Sequence, residues 1–421
     1  MRNAVIVVAV LLGCLGLTSM YVLDEEMPWD QDLRLPDPVE GGAPIAHDML
    51  RQVETSLIPL AGARGIVLES LPPDIAESYL RANSVTLDAL VAALAEPEWH
   101  PRHRAWRDDP LTRADIWHQV AVMKRLEATL LQQRGMELEA FGAGFDLMAL
   151  GLRMQELKAL PSYYLHGLTL FQGGALLLAD LVNRTRLSTD RLMVLQAGLA
   201  RMEISDDALR QFFTACYELE RQRLLAQARP AVPADAHSGG GSEAGGRAAT
   251  DASTRADPFF KPNATLRLFA SSFRDLAGEV QRAHFARSGR ALDRIPDRRQ
   301  GLRRLLNSNW RGEAYFADRI RHYAGFHDQQ TLLKAQRELV LTLFALRRYH
   351  AVEGRLPATL ADLVPDYIPE LPIDPFDGEP LRYNQRDAIL RSVGSDLVDE
   401  GGWFEDDSLA APHEPTLFIR F

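Results

Sequence analysis

The chain has 421 residues and a mass of 47.0 kDa, more than one ordinary domain needs. Hydrophobic residues make up 46% and charged residues 25%, a globular mixture that excludes a wholly disordered chain, a fibrous repeat and a multi-span membrane protein. Two cysteines exclude a disulfide framework, and a net charge of −10 argues against nucleic acid as a partner.

The 20 residues from Ala4 to Leu23 carry no charge. At about 1.5 Å per residue, a helix of that length spans roughly 30 Å, the thickness of a bilayer's hydrocarbon core. Arg2 before the run and Asp24, Glu25 and Glu26 after it place the N-terminus inside and the body outside. The segment therefore predicts a transmembrane anchor. A cleaved signal peptide and a lipoprotein box at Leu11-Leu12-Gly13-Cys14 are the alternatives, but no A-x-A-like site follows and apolar residues continue past Cys14.

Residues 24–45, rich in Pro, Gly and acid, read as an extended stalk. Residues 46–228 read as a helical domain. Asp74 is placed to cap a helix after Pro72 and Pro73. Ile116, Val120, Met123, Leu126 and Leu130 follow the helical period, and Ser188 precedes Leu192, Leu195 and Leu199. Ser205, with Asp206 and Asp207 behind it, starts a helix running to about Ala228, its acids suiting the positive end of the dipole. Cys216, between Phe213 and Tyr217, reads as a small buried hydrophobe. Residues 229–258, with Gly239-Gly240-Gly241 and no large apolar residue until the end, form a flexible loop. Helical character returns over 259–330, where the basic stretch from Arg282 to Arg304 reads as a solvated helix face. The last 71 residues hold 15 acids against 5 basic residues, net −10, so the remainder of the chain is neutral. After a long helix ending near His350, β-like runs occur at 381–383, 388–393 and 416–421.

The segment 333–402 contains a helix with Ala345, Leu346 and Tyr349, then Gly354-Arg355-Leu356-Pro357, Leu360 and Leu363. Leu371-Pro372-Ile373-Asp374-Pro375-Phe376-Asp377-Gly378, Tyr383, Ser392-Val393-Gly394 and Gly401-Gly402 follow. This combination resembles the C-terminal module of the major pseudopilins of type II secretion. It is still more similar to a group of uncharacterised bacterial envelope proteins carrying such a module, whose central part the helices from Phe141 to Leu199 also resemble. The resemblance implies a bacterial inner-membrane protein with a periplasmic body and an α+β module over 331–421. It also implies a binding or scaffold role toward an envelope protein partner, accessory to a secretion or pilus-like apparatus. Pseudopilins carry a basic leader, a cleavage site and a glutamate early in the apolar helix. Residues 1–23 show none of these, so filament assembly is not expected. Physically, Tyr349 and Leu346 are placed to pack a helix on a sheet, Gly354 to end that helix, and Asp374-Pro375 and Asp377-Gly378 to form turns.

The expected fold is thus mainly α: a transmembrane helix at 1–23, a helical bundle or helical-hairpin body, and a small α+β module with a short antiparallel sheet. One acidic constellation invites metal chemistry. Asp396, Asp399, Glu400, Asp406 and Asp407, with Glu405 among them, offer the carboxylates that calcium prefers, and the pseudopilin resemblance implies calcium in a corresponding loop. His100 and His103 lack metalloprotease spacing, and no nucleophile elbow or phosphate loop is placed in context. Gly142-Ala143-Gly144 and Gly173-Gly174 read as close helix packing or turns. A non-enzymatic role is the expectation. The alternative is a hydrolase of envelope material using a carboxylate pair in a helical groove.

Overall fold

The computed structural model describes residues 24–34, 45–60, 71–96, 99, 114–157, 161–228, 259–296, 307–401, 409 and 413–421. The anchor at 4–23, the loop at 229–258, His100, His103, Asp406 and Asp407 lie outside these residues. The protein is mainly helical with one small antiparallel sheet. The helices are α1 (Ile45–Ser56), α2 (Pro73–Ala82), α3 (Ser84–Ala95), α4 (Ala114–Gln133), α5 (Glu137–Glu156) and α6 (Pro161–Arg184). They continue with α7 (Thr189–Ala200), α8 (Asp206–Ala228), α9 (Pro262–Glu279), α10 (Trp310–Ala324) and α11 (Phe326–Glu353).

The chain divides into two compact units. The first gathers Met1–Arg34, Cys216–Leu276 and Gly289–Tyr323. Its core is aromatic. Phe269 meets Phe316 edge-on at 5.1 Å between ring centres, and Phe273 meets Tyr323 at 5.1 Å. The predicted stalk differs from its described part. Residues 24–34 are tied to the helices of this unit, because their acids find partners there. Asp24 accepts the backbone N–H groups of Asn263 at 2.8 Å and Ala264 at 3.3 Å, serving the first turn of α9 as a capping carboxylate from far away in sequence. Asp30 is buried and accepts the Tyr217 hydroxyl at 2.9 Å beside Arg221 and Arg34. Glu220, fully buried on α8, accepts the hydroxyls of Tyr315 at 2.5 Å and Tyr323 at 2.6 Å, with Arg223 at 2.9 Å. Burial and this carboxylate push the Tyr315 hydroxyl up to about 12. Cys216 is buried as expected, and desolvation, reinforced by Glu220, raises its thiol well above its usual range.

The second unit gathers Leu35–Ala215, Ala277–Ser288 and Ala324–Phe421. The periodic residues Ile116, Val120, Met123, Leu126 and Leu130 of α4 are all buried. The most extensive helix contact among the described residues joins α5 to α6. It is a seam of glycines two turns apart: Gly144 and Gly151 on α5 face Gly174 and Gly167 on α6. A Cβ on Gly167 would stand 2.5 Å from the Gly151 carbonyl oxygen, and one on Gly174 would stand 2.7 Å from that of Gly144. Among the described residues, α6 is the one helix long and apolar enough to cross a membrane. Most of its apolar residues are buried, and it packs against α4, α5 and α11 as a core helix does.

The expected Asp74 cap is not made. Pro72 and not Asp74 occupies the N-cap of α2, and Ser188 precedes α7 without a side-chain cap bond. Ser205 does cap α8, accepting the Ala208 N–H at 3.3 Å. The described part of the basic stretch is not one continuous helix face: it holds a 3-10 turn at His284–Ala286 and a four-residue helix at Arg290–Asp293. α9 stops at Glu279, because the Glu279 carboxylate turns to hold the Ser288 N–H and hydroxyl, and Gly289 adopts a left-handed φ of 67°.

At the end of α11, Gly354 takes a φ of 68° and closes the helix, as read from the sequence. Strands β1 (Arg382–Asn384), β2 (Ile389–Arg391) and β3 (Thr416–Phe418) form an antiparallel sheet in that order, pairing Tyr383 with Leu390 and Leu390 with Leu417. Tyr349 and Leu346 of α11 are buried. The Asn183 side chain of α6 imitates a strand: its Nδ2 donates to the Phe418 carbonyl at 3.0 Å and its Oδ1 accepts the Arg420 N–H at 3.0 Å.

Candidate binding groove

Helices α7 and α11 of the second unit lie side by side, and the proline-rich connection Tyr367–Pro375 runs along them. Between the three lies a groove of about 830 Å³. The α11 wall is one helix face, with Lys334, Arg337, Glu338, Leu341 and Thr342 at three- and four-residue steps and Arg348 two turns beyond Leu341. Met193, Ala197 and Ala200 come from α7 by the same spacing. Ile368, Leu371 and Ile373 supply the third, apolar wall, where prolines 369, 372 and 375 hold the chain extended.

The groove is closed at one end by hydrogen bonds that tie all three walls together. Arg348 Nη1 donates to Gln196 Oε1 at 2.9 Å and to the Tyr367 carbonyl at 3.1 Å. Gln196 Nε2 donates to the same carbonyl at 3.1 Å. Lys334 is held by Asp206 at 2.7 Å. Arg337 donates to the carbonyls of Leu199 at 3.4 Å and Ala200 at 2.5 Å, placing a cation on the negative end of α7, and reaches Glu338 at 2.7 Å. Burial raises the Glu338 carboxyl above its ordinary range, and Arg337 does not offset that. Glu203 and Glu370 stand exposed at the rim with no ion-pair partner among the described residues. The apolar surface runs from the exposed lining residues Met193 (48%) and Ile373 (44%) onto Val194 (67%), which lies outside the groove.

The loop beside this wall hangs on Asp374. Its carboxylate is fully buried. It accepts the N–H of Phe376 at 3.0 Å, the N–H of Val393 at 2.8 Å and the Ser392 hydroxyl at 2.8 Å, with Arg382 at 3.3 Å. Burial raises its pKa in spite of these donors.

The acidic residues read as calcium ligands do not assemble where described. Asp399 is taken by Arg391 Nη2 at 2.7 Å and by the Gly401 N–H at 3.2 Å. Burial pushes its carboxyl up, but these bonds hold it below the usual carboxylate range. Asp396 accepts the Val398 N–H at 3.2 Å and lies 3.6 Å from His413, and Glu400 is exposed. Among the described residues no three His, Cys, Asp or Glu side chains gather to hold a metal. Neither the groove nor Asp374's central role is evident from a motif. The one sequence signal is Met193-Val194, an apolar pair off the Leu192/Leu199 face of α7. Compared with known protein families, curated proteins and solved structures, the chain finds no match.

Proposed function

We propose that the protein is a binding or scaffold component of the bacterial envelope. In this reading it is anchored through residues 4–23, carries its body in the periplasm, and serves a secretion or pilus-like apparatus. The groove between α7, α11 and the Tyr367–Pro375 connection receives its partner. The observation that carries this reading is the character of the groove: an apolar wall of Ile368, Leu371 and Ile373, with exposed Met193 facing the groove and exposed Val194 beside it. A hydrolase needs two carboxylates pushed to different pKa values across a substrate. Here Glu338 alone is desolvated, and it is paired with Arg337, while Glu203 and Glu370 face solvent.

A photo-crosslinking amino acid at Ala197, inside the groove, is expected to give a discrete adduct with an envelope protein in intact cells. The same group at Arg191, exposed on α7 and outside the groove, is expected to give none. Equal labelling at both positions, or none at either, overturns the reading. Deleting residues 4–23 is expected to release the protein from the membrane fraction.

A further inference from the structure

The charges of the groove are unevenly committed. Each cation already has its partners: Lys334 holds Asp206, Arg337 holds Glu338 and two carbonyls, and Arg348 Nη1 holds Gln196 and Tyr367. Of the other two Arg348 nitrogens, Nε is buried without a hydrogen-bond partner among the described residues. The acids are in surplus, since Glu203 and Glu370 at the rim have no partner among the described residues. The wall they flank is acidic throughout. From Leu356 to Leu381 the chain holds Asp362, Asp366, Glu370, Asp374, Asp377 and Glu379 and not one Lys or Arg. Asp374 and Asp377 are answered by Arg382, and Asp362 by the turn it caps, which leaves Asp366, Glu370 and Glu379 facing solvent.

Resting on the groove as the binding site, we infer that its occupant is a segment of a partner protein that combines aliphatic side chains with at least one Lys or Arg. The aliphatic groups lie on Leu341, Ile368 and Leu371, and the basic group lies between Glu203 and Glu370. A polypeptide fits better than a small molecule. The apolar surface extends past the groove onto the exposed Val194, further than a compact ligand covers. Complementary charge sets which segment is accepted and how fast it arrives, and apolar burial holds it.

The test uses the full chain in detergent and a displayed library of random twelve-residue peptides. Wild type, Ala197→Trp (groove filled) and Glu203→Gln/Glu370→Gln (rim neutralised) are panned in parallel, with circular dichroism confirming that all three are folded. Sequences enriched by wild type but not by Ala197→Trp are expected to pair aliphatic residues with Lys or Arg. Synthesised and labelled, such a peptide should bind the rim-neutralised variant about tenfold more weakly by fluorescence anisotropy at low salt. Groove-dependent enrichment of neutral or acidic peptides overturns the basic-segment inference and leaves the groove as a binding site. Enrichment that Ala197→Trp does not abolish, or none at all, overturns the binding site itself and the inference with it.

Discussion

Asp374 is the residue on which the C-terminal module's loops converge. A carboxylate with no exposed surface is tolerated only when its oxygens are answered, and here two N–H groups, a hydroxyl and a guanidinium do so. Asp374→Ala leaves those donors buried and unmet, and is expected to cost about 3–5 kcal/mol in urea unfolding. Ser392→Ala removes one neutral donor and should cost about 1 kcal/mol. The sequence reading saw Asp374-Pro375 as a turn, which it is, but local chemistry holds no sign of Val393 arriving from 19 residues away. Asp32 behaves in the opposite sense. The hydrogen bond from Arg274 holds its carboxyl below its ordinary value. Its folded pKa therefore lies below the unfolded one. Its contribution is present above about pH 4 and disappears as the pH falls through the folded value. Arg274→Gln should flatten this part of the acid limb in melts followed against pH. With Asp32 partly exposed the effect is under about 1 kcal/mol.

At the scale of the element, the glycine seam decides how α5 and α6 meet. Gly167→Ala drives a methyl into the Gly151 carbonyl and the Gln155 side chain, and is expected to cost about 3 kcal/mol in thermal or urea unfolding. Gly142, on the same helix as Gly151 but with nothing within 4 Å of a would-be Cβ, is the control. Gly142→Ala should be neutral or stabilising by up to about 1 kcal/mol. The seam is legible only in part: the glycines at 144 and 174 read as close packing or turns, and nothing pairs them with Gly151 and Gly167, because sequence shows spacing along a helix and not which helix lies opposite. The helices themselves were well legible where one face is buried, as along α4. The break after Glu279 was not. The local propensity of an arginine-rich stretch favours continuation, and the deciding bond, from Ser288 back to the Glu279 carboxylate, closes a turn that no helical pattern encodes.

For the whole molecule, composition marks boundaries at the Gly-rich stretch and at the acidic C-terminal region, whereas each compact unit draws on three separate stretches of chain. The first unit's core needs Phe269, Phe316 and Tyr323 together, and such long-range partners are set by complementary surfaces and not by neighbours in sequence. The groove is hidden for the same reason, since its α7 wall and its proline wall lie some 170 residues apart, as Gln196 and Tyr367 illustrate. Filling it should leave the fold intact. Ala197 is solvent-exposed, so Ala197→Trp is expected to change the unfolding free energy by less than about 0.5 kcal/mol while abolishing partner capture. The glycine seam also sets how the protein yields to hydrostatic pressure. Pressure unfolds proteins chiefly by eliminating internal voids, and two helices touching main chain to main chain enclose almost none. In a pressure series followed by amide resonances, the α5–α6 pair should be the last part of its unit to lose signal.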